Sequence, residues 1–161
     1  MTPRSVALTV DGVPRPSWAA RLTRFCSIAL AAAGFAAWEI SILLCDDGRM
    51  QELNSRYRGK DRPTDVLSFG DEPHARPTAE ADRVVRGDIA ISLDTLRRNA
   101  AAYGVTDDEE LKRLVVHGLL HLAGMDHGRG KGRGMLARQE KLLSELRAER
   151  VVAAVSRESG A

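Results

Sequence analysis

Apolar positions change their period along this chain, and each change marks an element. Residues 5–10 (SVALTV) and 39–45 (EISILLC) are short, apolar and rich in β-branched side chains, which predicts two strands. A helix is expected between them, from an N-cap at Ser17 to about Ala37. Within it, Phe25 to Trp38 (FCSIALAAAGFAAW) is an uncharged run of 14 residues. That is short of the ~20 a membrane span needs, so it reads as a buried core helix. After the turn signal Asp46-Asp47-Gly48, Met50, Leu53 and Tyr57 recur at helical spacing, and RGKDRP at 58–63 ends that helix. TDVLSF at 64–69 and GDIAIS at 87–92 read as a third and a fourth strand. Residues 70–86, rich in proline and charge, read as a mobile loop with His74 on its surface. Asp94 to Tyr103 predicts a helix closed by Gly104. Thr106-Asp107-Asp108-Glu109 is a capping box for the next helix. Residues 128–134 read as a flexible basic link, and Leu136 to Val155 as a last amphipathic helix before a frayed tail from Ser156. The order β-α-β-α-β-β-α-α-α predicts an α+β (mixed) class. The expected architecture is a small four-stranded mixed sheet with about five helices packed on it, in a single domain over 1–161.

Composition narrows this picture. Hydrophobic residues make up 43% of the chain and aromatics 4%, so the core must be built from Leu, Val, Ile and Ala. A formal net charge of +2 is too mild to identify a nucleic-acid partner, so the local distribution of charge has to decide. The two cysteines, Cys26 and Cys45, sit in apolar surroundings without a C-x-x-C arrangement, and read as buried reduced thiols. With no targeting signal and no membrane span, the expected location is cytoplasmic.

The chemistry concentrates in residues 117–127, His-Gly-Leu-Leu-His-Leu-Ala-Gly-Met-Asp-His, which hold three of the four histidines. His117 and His121, four apart, share one helix face. Gly124 is expected to close the helix in a left-handed turn, letting His127 swing back towards the other two. Three neutral imidazoles suit one Zn2+ with a fourth position open for water, whose pKa then falls to about 7. The spacing follows the zincin pattern H-E-x-x-H-x-x-G-x-x-H, giving a zincin-like metal helix, except that Gly118 replaces the glutamate base. Glycine inside a helix costs about 1 kcal/mol against alanine. That cost suggests a need for open space beside the metal. Asp126 and Asp88 are the candidates for orienting an imidazole or moving a proton, each with a turn or edge role as the plainer reading.

A second stretch, Leu53 to Phe69 (LNSRYRGKDRPTDVLSF), carries Arg56, Arg58, Lys60 and Arg62 at a helix-to-strand bend. Together with Arg129, Lys131 and Arg133 after the last histidine they supply two basic edges, which suit a single-stranded phosphodiester better than a peptide. Asn54 and Asp65 in the same run are equally explained as a helix-end and a strand-entry hydrogen bond.

The segments LNSRYRGKDRPTDVLSFG, GDIAIS and HGLLHLAGMDH resemble those of the YbeY family of bacterial metallo-endoribonucleases, over residues 53–127. The resemblance implies one zinc on His117, His121 and His127, and Arg58 needed for activity. It implies cleavage of single-stranded RNA, maturation of the 3′ end of small-subunit ribosomal RNA, and ribosome quality control. The partners implied are ribosomal RNA, the small ribosomal subunit and ribosome-associated proteins. GRGKGRG departs from the acidic run that many relatives carry after the third histidine. Two alternatives stay open: a zincin-like metalloprotease, and a non-catalytic RNA-binding assembly factor with structural zinc.

Overall fold

A computed structural model of the chain describes residues 2–70, 84–125 and 132–153. Nine elements follow in the expected order: β1 (Arg4–Asp11), α1 (Ala19–Ala32), β2 (Ala37–Cys45), α2 (Asp47–Arg58), β3 (Val66–Gly70), β4 (Val84–Ser92), α3 (Leu93–Tyr103), α4 (Asp107–Leu122) and α5 (Gly132–Glu145). The strands form one sheet in the order β1-β2-β4-β3. β1, β2 and β4 run parallel, and β3 is an antiparallel edge paired Leu67 to Ala90 and Gly70 to Gly87. The α+β mixed class is therefore observed.

Strand alternation sorts side chains onto two faces. Ile40, Ile42, Leu44, Ile89 and Ile91 join the large core formed with α1, α3, α4 and α5. Cys45, Leu67 and Ala90 form a smaller core with Met50 and Leu53 of α2. Both faces are covered, which is why β2 and the end of β4 are almost continuously apolar. Leu22, Leu44, Ile89 and Ile91 are fully buried, each contributing about 1.5–3 kcal/mol relative to exposure.

Both ends of α1 and both ends of α5 differ from the sequence expectation. Ser17 is not the cap of α1: the N-cap is Trp18, with no side-chain hydrogen bond. The helix also stops at Ala32 rather than Ala37, because Gly34 takes φ +95° and Phe35 N–H returns to Leu30 O at 3.1 Å. The run 25–38 is thus helix, turn and strand entry in succession, and all of it cannot be one core helix. α5 begins at Gly132, inside the stretch expected to be a flexible link, and ends at Glu145 rather than Val155. The segment after α5 is held instead by α4: Asp108 Oδ1 accepts from Val151 N–H and Val152 N–H at 2.7 and 2.8 Å. Lys112 Nζ donates to the Leu146 and Arg147 carbonyls. Residues 71–83 of the expected loop, with His74, and the tail from Ser156 lie outside the described residues. No helix of the described residues is long and apolar enough to cross a membrane.

Candidate functional site

α4 carries its imidazoles at the end of a well-capped helix. Thr106 Oγ1 accepts from Glu109 N–H at 3.1 Å, and four acidic residues, Asp107 to Glu110, occupy the first turn and complement the helix dipole. At the other end Gly124 adopts φ +90°, with its N–H on His121 O and Met125 N–H on Leu120 O. This is the left-handed closure expected from the sequence.

His117 and His121 lie one turn apart, with ring centroids 4.5 Å apart and planes at 77°. Their Nε2 atoms approach to 3.1 Å. Two nitrogens on one tetrahedral zinc, each at about 2.0–2.1 Å, would sit about 3.3 Å apart, so the pair fits two corners of such a site. His117 Nδ1 lies 3.0 Å from Oε1 of Gln139, a buried residue of α5. No group of three His, Cys, Asp or Glu side chains placed to hold a metal occurs among the described residues. His127, Asp126, Arg129 and Lys131 lie outside them, and Arg133 falls in the first turn of α5.

Gly118 does not leave open space beside the histidines, contrary to the sequence expectation. A Cβ there would meet Ile89 Cδ1 at 3.0 Å, so the glycine lets α4 press against β4. The position where a zincin keeps its glutamate is therefore packed on the sheet. Gly87 makes a second close approach: at φ +152°, an added Cβ would lie 2.5 Å from both Leu122 Cδ2 and Phe69 O. These contacts seat the histidine end of α4 on the ends of β3 and β4.

Asp88 lies on the face of the sheet opposite α4, which carries His117 and His121. It alternates with Ile89, which touches α4, and its cross-strand neighbour is Phe69 of the smaller core. Asp88 therefore stands exposed on the α2 side of the sheet.

Arg58 ends α2 and reaches the edge strand. Its Nη2 donates to Ser68 O at 2.9 Å, and its guanidinium lies 5.6 Å over the Phe69 ring. Ser68 is two residues from Gly70, whose added Cβ would meet Leu122, the neighbour of His121. The basic loop is pinned from beneath. The buried Asn54 side chain donates from Nδ2 to Arg62 O at 2.8 Å, its backbone carbonyl accepts from Lys60 N–H at 3.2 Å, and Gln51 holds Asp61. Asp65 Oδ1 accepts from Val66 N–H at 2.8 Å. Asn54 and Asp65 thus have the structural roles expected of them, and they leave Arg56, Arg58, Lys60 and Arg62 exposed together.

Sequence reading missed two residues here. Gln139 gave no signal, because its partner is 22 residues away. Tyr57 read only as a helical core position, yet it is 54% exposed and stands edge-on to Phe69 at 5.0 Å. Its place between two arginines in RYR was the available clue.

Elsewhere the ionisable groups support the fold. Burial pushes the Asp47 carboxyl up, but hydrogen bonds from Thr95, Ser92 and Arg98 outweigh it and hold the group below its ordinary range. Burial pushes the Cys26 and Cys45 thiols up to about 12, and both are free thiols, as expected. A groove of about 900 Å³ runs along the first turns of α4 and the far end of α5, but neither histidine lines it.

Known proteins resemble this chain over most of its length. The sequence profile of Endoribonuclease YbeY matches residues 10–147. The chain belongs to the YbeY family. An Endoribonuclease YbeY from Treponema denticola is 47% identical over 126 residues, covering 78% of this chain and 81% of the relative. One from Anaeromyxobacter sp. is 46% identical over 148 residues, covering 91% and 73%. The solution structure of TM1509 from Thermotoga maritima superposes with a TM-score of 0.57 at 26% identity, covering 89% of this chain and 93% of that one. The match to this family covers residues 10–147, so the resemblance read over residues 53–127 extends through most of the chain of this YbeY family member.

Proposed function

We propose that this protein is a zinc-dependent endoribonuclease acting on single-stranded RNA in the cytoplasm, in 3′-end maturation of small-subunit ribosomal RNA and in ribosome quality control. One zinc per chain is held by His117, His121 and His127. The observation that carries the reading is the facing pair of Nε2 atoms, 3.1 Å apart, at the end of α4 that packs on the edge strand β3, whose Ser68 carbonyl holds Arg58 of α2. When bound, the ion supplies a Lewis acid for a phosphoryl oxygen and lowers the pKa of water beside it.

The chain's own residues do the rest. Arg58, fixed by Ser68 O and Phe69 but exposed, presents a fork of donors to a phosphate and stabilises the charge that grows on it. Arg56, Lys60 and Arg62 hold the flanking backbone, joined by Arg129, Lys131 and Arg133, and their grip weakens with salt. Tyr57 offers an exposed ring on which a base stacks. The nucleophile is water or the ribose 2′-hydroxyl, and a 2′,3′-cyclic phosphate among early products identifies the second.

The protease reading is disfavoured because position 118 faces Ile89 and offers no room for a base. The test combines elemental analysis with cleavage of a single-stranded ribosomal RNA fragment, using wild type and His117→Ala. Wild type is expected to hold zinc and cut RNA, and the variant to lose both. Equal RNA cleavage by the variant would overturn the nuclease centre. Casein cleavage without RNA cleavage would favour the protease. Zinc retained without cleavage of either would favour the assembly factor.

A further inference from the structure

Gln139 is an uncharged amide on the buried side of α5, 3% exposed. Burying an amide without a hydrogen bond costs free energy, so such a group is kept where a partner is waiting. Its Oε1 lies 3.0 Å from His117 Nδ1. An amide oxygen only accepts, so this contact requires the proton on Nδ1 and leaves the Nε2 lone pair bare. That Nε2 is the atom facing Nε2 of His121. The reversed amide would place an N–H on Nδ1, drive the proton to Nε2 and block the nitrogen that faces the site.

The helix that delivers Gln139 is clamped on both sides of it. The neighbouring Arg138 donates to Ala33 O at the end of α1 and to Met125 Sδ after α4, and its guanidinium lies 5.7 Å over Phe35. Beyond α5, Lys112 and Asp108 of α4 hold the Leu146 and Arg147 carbonyls and the Val151 and Val152 N–H groups. The amide oxygen is therefore set against the ring by tertiary contacts on either side of it.

We propose that Gln139 is a positioning residue of the metal centre: by accepting from Nδ1–H it selects the tautomer and ring orientation in which His117 offers Nε2 to the ion. This rests on the reading of His117 as a ligand. An acceptor behind a ligating histidine is worth roughly 10–100-fold in metal affinity.

The test measures zinc affinity by chelator competition in wild type, Gln139→Leu and Gln139→Glu. Nitrogen NMR of the His117 tautomer in the metal-free wild-type protein accompanies it. Gln139→Leu keeps the bulk and removes the acceptor, so it is expected to bind zinc about 10–100-fold more weakly. Gln139→Glu keeps an acceptor and is expected to bind at least as tightly as wild type. Metal-free wild type is expected to carry the proton on Nδ1. Wild-type affinity in Gln139→Leu, or a proton on Nε2 in metal-free wild type, would overturn the proposal. If Gln139→Leu fails to fold, the tautomer measurement and Gln139→Glu decide. Failure of wild type itself to bind zinc is a separate result that removes the metal centre and this proposal together.

Discussion

Replacing Gly118 by alanine sets two known quantities against each other. Alanine gains about 0.8–1.0 kcal/mol of helix propensity over glycine. The new methyl would lie 3.0 Å from Ile89 Cδ1 and 3.4 Å from its Cγ1 and Cγ2. Ile89 is fully buried and in the core cluster, so it cannot swing into solvent. Overpacking of this kind costs about 1–3 kcal/mol. The net expectation for Gly118→Ala is a loss of about 1 kcal/mol. Ile89→Val removes Cδ1, the tightest contact, and alone costs about 0.5–1.5 kcal/mol. In the double variant the methyl finds room and the propensity gain is realised. Its cost should be no greater than that of Ile89→Val, which makes the coupling about 1–2 kcal/mol. Urea unfolding of the four proteins in chelator measures the cycle, and zinc titration measures the site. The double variant is expected to bind zinc like wild type, since the glycine serves packing. An additive cycle, within about 0.3–0.5 kcal/mol, would refute the packing account. A zinc defect that persists in the double variant would restore the idea that the site itself needs the glycine.

Gly87→Ala should be harsher, because the added Cβ meets a backbone oxygen that cannot rotate away and the φ of +152° strains any side chain. A loss of about 2–5 kcal/mol by urea unfolding is expected from clash and strain together. Arg58→Ala should leave the melting temperature nearly unchanged, since the residue is exposed, and cut kcat/KM on single-stranded RNA by about 10²–10³. Lysine there should restore little, as it lacks the planar fork. Asp47→Asn should cost about 1–3 kcal/mol at neutral pH through weakened bonds to Ser92, Thr95 and Arg98. The folded carboxyl is depressed, so as pH falls the unfolded chain takes up this proton first. Its stabilisation is full above the unfolded value and is lost as pH drops through the folded one. The gap between wild type and Asp47→Asn in urea melts should therefore close as pH falls below the ordinary carboxylate range. Burial that pushes both thiols up to about 12 should make labelling of Cys26 and Cys45 at pH 8 follow the rate of unfolding, measured by disulfide-exchange reagents with and without urea.

The elements that sequence reading placed well are those defined within a few residues. Thr106 and Gly124 bound the histidine helix through contacts three and four positions away, and the motifs of residues 53–127 carried the family membership that the matches show. The helix-to-strand change at Gly34 was missed because alanine-rich sequence continues through it, and the turn is marked by the positive φ of Gly34 and the return of Phe35 N–H to Leu30 O. The extent of α5 was misjudged in the same way: glycines at 132 and 134 read as a link, yet packing of Met135 and Leu142 in the large core makes that stretch helical.

By itself, then, the chain determined strand and helix order, the pairing of His117 with His121 on one face, and the cluster of cations around Arg58. These follow from backbone periods and capping chemistry, which act over one or two turns. Only the tertiary structure decided that Gly118 serves Ile89, that Asp88 faces away from α4, and that Gln139 stands behind His117. Each of those depends on which face of one element meets another across more than twenty residues, and side-chain packing, unlike periodicity, leaves no regular trace along the sequence.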